Sequence, residues 1–295
     1  VRALGRAGLQ VAGFDDRRWE IGHRSRYLLT SGPMDLTAMK RVAGGDRPAL
    51  LVAGDPELQW ALENAAALDR FVALPSSIRT GQAADVLNKR RYYRHCLDAG
   101  VALSETLIPD GPVDLTDASD WLIKPARGGV AGGRVSPLSE AESPDWSGSV
   151  LQRRIPGADD RIWVYATHVA ADGTLGSGEM VGQKLTQWPV GLGSASRMIC
   201  AENAVILEAS RHLIRTLGLT GTLAVEWKLA PDGVPLHIET NARPALWFGL
   251  CEPVVLDAYA ETRGCPPVVR PPTPLGKTWA YAVREAAVGR FQSAD

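Results

Sequence analysis

What the chain lacks narrows its function first. Its 295 residues hold only four cysteines, Cys96, Cys200, Cys251 and Cys265, with no CxxC pair and no histidine cluster beside them. That scatter argues against a zinc ribbon or a redox dithiol and leaves core or surface thiols of a reducing cytoplasm. No apolar run approaches the ~18 residues of a membrane span, and no segment reads as a signal peptide. Charge of one sign is not in excess: 32 Lys and Arg stand against 33 Asp and Glu, a formal net charge of −1. Bulk attraction to nucleic acid or to a membrane surface is therefore not expected. There is no internal repeat, and no Gly-Lys-Ser/Thr ending that would make a Walker A loop.

What remains is an ordinary globular composition, 45% hydrophobic and 22% charged, in a chain long enough for two or three subdomains. Residues 1–80 alternate helix and strand, the pattern of a small open parallel sheet. A helix stopped by Gly8 precedes a strand over 9–14. Apolar runs at 49–53 and 71–74 predict two more strands, with a helix from 54 to 68 between them. A first strand before the opening helix is expected to be missing. Asp15, Asp16 and Asp55 fall at strand ends, where such sheets place their ligands, although loop acids are common there. Residues 75–81 form a joint, and 82–99 predict one helix whose basic run, 88–95, reads as a solvated face. Lys89 within it is a candidate phosphate contact.

A short strand over 121–125 carries Lys124 and runs into a loop with four glycines, Gly128, Gly129, Gly132 and Gly133. Such a loop lets backbone amides approach an anion closely. Strands follow at 149–155, 161–168 and 180–188, then a loop over 189–197. A helix occupies 201–217, capped by Gly218. Past Arg243 come a helix through Glu261, a proline-rich extended stretch over 265–276, and a strand or short helix within 277–291.

The most informative stretch is 222–243, read as two strands, 222–227 and 235–241, joined at Pro231-Asp232-Gly233. Period-2 alternation puts Leu223, Val225 and Trp227 on one face and Glu226 on the other. In the second strand it groups Leu236 with Ile238, and His237 with Glu239 and Asn241. A two-residue Asp-Gly turn, or a four-residue loop, sets Glu226 opposite Glu239; a three-residue loop sets them on opposite faces. The first parity is expected. Two carboxylates side by side repel; with an amide oxygen they form either a hard-oxygen set suited to Mg²⁺ or an ordinary exposed strand face with two solvated acids.

Five elements in this order and spacing resemble the ATP-grasp superfamily of carboxylate–amine ligases. They are Asn88-Lys89; Ile123-Lys124-Pro125 with the glycine loop; the run from Leu151 to Gly157; the run from Ala224 to Lys228; and the run from Ile238 to Arg243. The similarity covers about residues 1–265. The run from Gly182 to Pro189 is further similar to predicted ATP-dependent carboligases of the D-aspartate-ligase kind.

The resemblance implies an ATP-grasp fold, α/β with an α+β C-terminal half. It divides into an α/β domain (1–80), a small subdomain with a glycine lid (81–148), a metal-binding subdomain (149–265) and an extension (266–295). It implies amide formation through an acyl phosphate, with ATP and Mg²⁺, or Mn²⁺ in its place. Small carboxylate and amine substrates, amino acids or peptides, and a homodimer are the implied partners. Lys89, Lys124 and the four loop glycines would hold phosphates, and Gln152, Arg153 and Ile155 would line the adenine. Asp159 or Asp160 would reach the ribose. Glu226, Glu239 and Asn241 would hold metal, and Arg243, Lys184 and Arg197 would supply cations at the transferred phosphoryl group. Gln152, Thr240 and Ala242 depart from the family pattern, where a glutamate, an apolar residue and a proline are usual. A kinase-like or carboxylase-type enzyme, or a non-catalytic nucleotide-binding protein, are the competing readings.

Overall fold

The computed structural model describes residues 1–15, 25–127, 135–141, 144–188, 191–265, 273–283 and 291–293. Asp16, Gly128, Gly129, Gly132, Gly133 and most of the proline-rich stretch lie outside the described residues.

The N-terminal part carries α1 (Arg2–Arg6), β1 (Val11–Phe14), β2 (Leu28–Gly32), α2 (Leu36–Ala43), α3 (Asp55–Glu63) and α4 (Ala65–Leu68). β1 and β2 pair in parallel. The runs expected as strands at 49–53 and 71–74 make only a parallel bridge, Ala49 to Ala73. They bury Val52, Val72 and Leu74 without a continuous ladder. The helix expected over 54–68 is divided at Asn64, whose side-chain amide donates to Trp60 O.

The next part begins with α5 (Ser76–Arg79), α6 (Gln82–Leu87) and α7 (Lys89–Asp98). The single helix expected over 82–99 is thus two. Asn88 breaks it: its backbone is extended, and its side-chain oxygen accepts from Arg91 N at 3.2 Å, capping α7. Strands β3 (Thr106–Leu107), β4 (Trp121–Pro125), β5 (Ser136–Pro137) and β6 (Ser149–Arg153) form a four-stranded antiparallel sheet in the order β3-β6-β4-β5. The expected subdomain division at 148/149 runs between β5 and β6 of this one sheet.

The largest sheet has seven strands. Its members are β7 (Ile162–Val169), β8 (Met180–Trp188), β9 (Ser194–Cys200), β10 (Gly221–Leu229), β11 (Pro235–Asn241), β12 (Thr278–Val283) and β13 (Phe291–Ser293), ordered β11-β10-β7-β8-β9-β12-β13. β9 begins inside the stretch expected as loop up to Arg197. Helix α8 (Ala204–Leu217) is capped by Asn203, whose side chain accepts from Ile206 N, and stopped by Gly218 in the left-handed conformation. It buries Ile206, Ser210, Leu213 and Ile214; its period predicts a face of Ile206, Ala209 or Ser210, Leu213 and Leu217, of which Leu217 is only half-buried while Ile214 joins the buried side. α9 (Glu252–Arg263) covers the opposite face, where Val254 joins Val164, Met180 and Ala224. α6, α7 and α8 share the main core with Leu223, Val225 and Trp227, while Ala224 packs on the other face of β10, the face that also carries its one acid, Glu226. Among the described residues no helix is long and apolar enough to cross a membrane. Cys96, Cys200 and Cys251 are buried free thiols and Cys265 is exposed.

Candidate active site

The hairpin of β10 and β11 has a register that period-2 reading misses. Ala230 N donates to Val234 O, and Gly233 N to Ala230 O, closing the three-residue loop 231–233 with Gly233 at φ 88°. This is the odd parity, the one expected to separate the glutamates. From it the ladder runs Leu229 to Pro235, Lys228 to Leu236 and Trp227 to His237, and then jumps to Glu226 opposite Glu239. β11 therefore carries one extra residue, Ile238, as a β-bulge, and the bulge restores the pairing of the two acids. The same bulge corrects the expected faces. His237 does not share a face with Glu239; it is fully buried against Trp227, ring centroids 5.1 Å apart. Leu236 and Ile238 are only half-buried.

Each glutamate meets a lysine from a different element. Glu239 Oε1 lies 2.6 Å from Lys89 Nζ, at the first turn of α7. Glu226 Oε2 lies 2.6 Å from Lys184 Nζ, which reaches across β7 from β8. Burial alone would raise the Glu239 carboxyl, but Lys89, Lys124 and Arg243 outweigh it and hold Glu239 at about 2. Asn241, two residues on, accepts from Arg243 Nη2 at 3.4 Å. Arg243 also donates to Asp55 at the start of α3.

Lys124 enters from the small sheet. It is 4% exposed, and its ammonium donates to Gln152 Oε1 (2.5 Å), Tyr93 Oη (2.9 Å) and Ile238 O (3.0 Å), which uses its three hydrogens. Burial lowers Lys124 to about 8. Gln152 is buried beside it, its amide nitrogen donating to Thr106 Oγ1 at 3.3 Å. Lys89 N donates to Ala126 O at 2.7 Å, which ties the start of α7 to the strand that leads into the glycine run. The expected solvated face of 88–95 is thus half interior: Tyr92 and Tyr93 are buried, and Arg90 donates to Pro109 O and Ser149 O.

The remaining expected residues spread further. Arg153 is exposed and pairs with Glu105 and Asp120, and Ile155 is half-buried on the same edge. Asp159 accepts from Gln187, whereas Asp160 is exposed and its backbone carbonyl accepts from Gln183. Arg197 is exposed on β9 opposite Thr186 and makes no side-chain bond among the described residues. Sequence reasoning misses Tyr92, Tyr93, His237 and Thr240. The signal is present: Lys89, Tyr92 and Tyr93 stand at i, i+3 and i+4, one face of a helix.

Four basic side chains (Lys89, Lys124, Lys184, Arg243) and three carboxylates (Glu226, Glu239, Asp55) form one linked charge cluster about the β10–β11 hairpin. The two-sheet arrangement that presents this set is the ATP-grasp fold, as the likeness to solved structures shows. No protein-family model matches the chain, and no curated protein sequence does. Among solved structures, the chain resembles N5-carboxyaminoimidazole ribonucleotide synthetase from Thermotoga maritima, with a TM-score of 0.62 at 12% identity, covering 95% of this chain and 76% of that one. It resembles L-amino acid ligase from Bacillus licheniformis at 0.62 and 15%, over 95% and 75%. It also resembles biotin carboxylase from Campylobacter jejuni at 0.64 and 13%, over 95% and 71%.

Proposed function

We propose that the chain is an ATP-dependent ligase that activates a small carboxylate by phosphoryl transfer and joins it to an amine. The observation that carries this reading is the cross-strand pair Glu226–Glu239, each acid matched to a lysine. Its donor set suits Mg²⁺, or Mn²⁺: two carboxylates and the Asn241 amide oxygen are hard oxygens, and Glu239 stays ionised at any physiological pH. A divalent cation bound there would neutralise charge on the nucleotide phosphates.

The protein's own groups supply the rest. Lys89 and Lys124 would take phosphate oxygens, each exchanging a bond it now makes within the protein. Gly128, Gly129, Gly132 and Gly133 would fold over the phosphates. Gln152, Arg153 and Ile155 would border the adenine, with Asp159 or Asp160 at the ribose. Arg243 would face the transferred group, with Lys184 and Arg197 as further cations. Phosphoryl transfer asks chiefly for positioning and charge stabilisation, and these side chains provide both. A substrate carboxylate oxygen attacks the γ-phosphorus and ADP leaves. The amine nitrogen then attacks the acyl carbon, phosphate leaves, and the nitrogen loses a proton to give the amide.

The test is ADP formation across a panel of carboxylates and amines, amino acids first. Release that requires one of each supports the reading. Release with bicarbonate as the sole carboxylate supports a carboxylase-type enzyme, and release with a single acceptor supports a kinase. A flat calorimetric titration with Mg·ATP overturns all three.

A further inference from the structure

The three-residue turn and the pairing of Glu226 with Glu239 are incompatible in a regular ladder. Continued without the bulge, the register would set Ile238 opposite Glu226 and Glu239 opposite Val225, on the core face. Like charges placed directly opposite are unfavourable. Something must hold the bulge.

That something is one face of α7. Tyr93 Oη donates to Ile238 O, the carbonyl at the bulge, and accepts from Lys124 Nζ. Lys124 donates to the same carbonyl. Tyr92 Oη lies 3.0 Å from His237 Nε2 and 2.5 Å from Thr240 Oγ1, one partner on each side of the bulge. The neutral His237 ring closes the set, its Nδ1–H donating to Glu226 O at 3.1 Å, so Tyr92 donates to Nε2 and accepts from Thr240. The chain of bonds runs from α7 through β11 to the backbone of Glu226. All of these side chains except the glutamates are buried, where a lost hydroxyl is not replaced by water.

We propose that Tyr92 and Tyr93 are positioning residues for the carboxylate pair, and that Tyr93 links it to the phosphate-site lysine Lys124. This rests on the metal and nucleotide site proposed above. Neither tyrosine belongs to the proposed metal or nucleotide ligands; both act through β11.

The probe is Mn²⁺, measured by electron paramagnetic resonance with ADP present, on wild type, Tyr93→Phe, Tyr92→Phe and, as a control, Tyr165→Phe. Tyr165 is a buried tyrosine whose hydroxyl bonds Glu179 rather than any residue of the hairpin's charge cluster. Removing a group that orients metal ligands weakens metal binding by about 10–100-fold. That weakening is expected for Tyr93→Phe and Tyr92→Phe. Tyr165→Phe is expected to lower thermal stability and leave Mn²⁺ affinity at the wild-type value. Wild-type uptake of Mn²⁺ with both variants within about twofold of it overturns the positioning role alone. That role is equally overturned if Tyr165→Phe weakens Mn²⁺ binding as much as they do. Absence of Mn²⁺ uptake by the wild type overturns the metal site and this proposal together. If one of the two variants does not fold, the other decides.

Discussion

Asp55 and Arg243, 188 positions apart, meet in a salt bridge that joins the N-terminal α/β part to the end of β11, the strand that carries Glu239. Asp55 opens α3, where a carboxylate also favours the positive end of the helix. The pair is 18% and 17% exposed, so most of its charge is withdrawn from water. Removing one partner of a buried pair costs about 3–5 kcal/mol, because the other is left uncompensated. Asp55→Asn is expected to lose about 3 kcal/mol in urea denaturation, at the low end of that range. The double variant Asp55→Asn with Arg243→Met should lose less than the single one. A single-variant loss below about 0.5 kcal/mol would place the pair among ordinary surface contacts.

Glu239→Gln tests the acid pair itself. The amide oxygen keeps an acceptor for Lys89, so the hairpin is expected to fold with wild-type circular dichroism. What disappears is the negative charge that a divalent cation needs. Metal-dependent ADP formation should fall about 100-fold or more, while nucleotide binding without metal changes little. ADP formation near the wild-type rate would remove Glu239 from the metal site.

These residues are legible in the sequence because their chemistry is unusual for their setting: two acids and an asparagine on alternating strands, a lysine at a strand end and another at a helix start. The scaffold that aligns them is not. The hairpin parity comes from a turn whose length Pro231-Asp232-Gly233 leaves open, and the pairing survives only because Ile238 adds a residue that no local pattern marks. His237 reads as a polar, outward residue by period, yet Tyr92 and the Glu226 carbonyl satisfy both ring nitrogens and let it lie in the core. The break at Asn88 is hidden by good helix formers on both sides; its capping bond and the tertiary bond of Lys89 N to Ala126 O mark it. Local periodicity carries the long helices and central strands; it says little where tertiary partners decide.

Lys124 gives the site a pH dependence. Burial places it at about 8 in the folded chain, against 10.5 for an unhindered lysine. Between those values the unfolded chain holds a proton that the folded chain has lost, so stability rises with pH from about 8 to 10.5. Below pH 8 both states are protonated, and the full cost of burying the cation is present. Urea denaturation from pH 7 to 10 should show this rise in wild type and not in Lys124→Met. Nucleotide affinity should move the other way, falling above pH 8 as the charge is lost. Gln152→Glu puts a carboxylate within hydrogen-bond reach of the ammonium and should carry that fall to higher pH. Identical profiles for wild type and Lys124→Met would remove Lys124 from both effects.

Gly221 sets where β10 begins. Its φ is +86°, and a Cβ there would lie 2.6 Å from Ser77 Oγ and 2.8 Å from Ser77 Cβ. Ser77 is buried on α5, so the glycine allows that helix to sit directly against the first residue of the strand that carries Glu226. Alanine would meet both a disfavoured backbone conformation and a clash, and is expected to cost about 1–3 kcal/mol. Adding Ser77→Gly should recover only the part due to the clash, because the backbone conformation stays left-handed. The start of β10 lies five residues from Glu226, so Mn·ADP affinity of the folded Gly221→Ala protein should stay at the wild-type value. Full recovery of stability by the double variant would show that crowding alone, and not the backbone, requires glycine at this position.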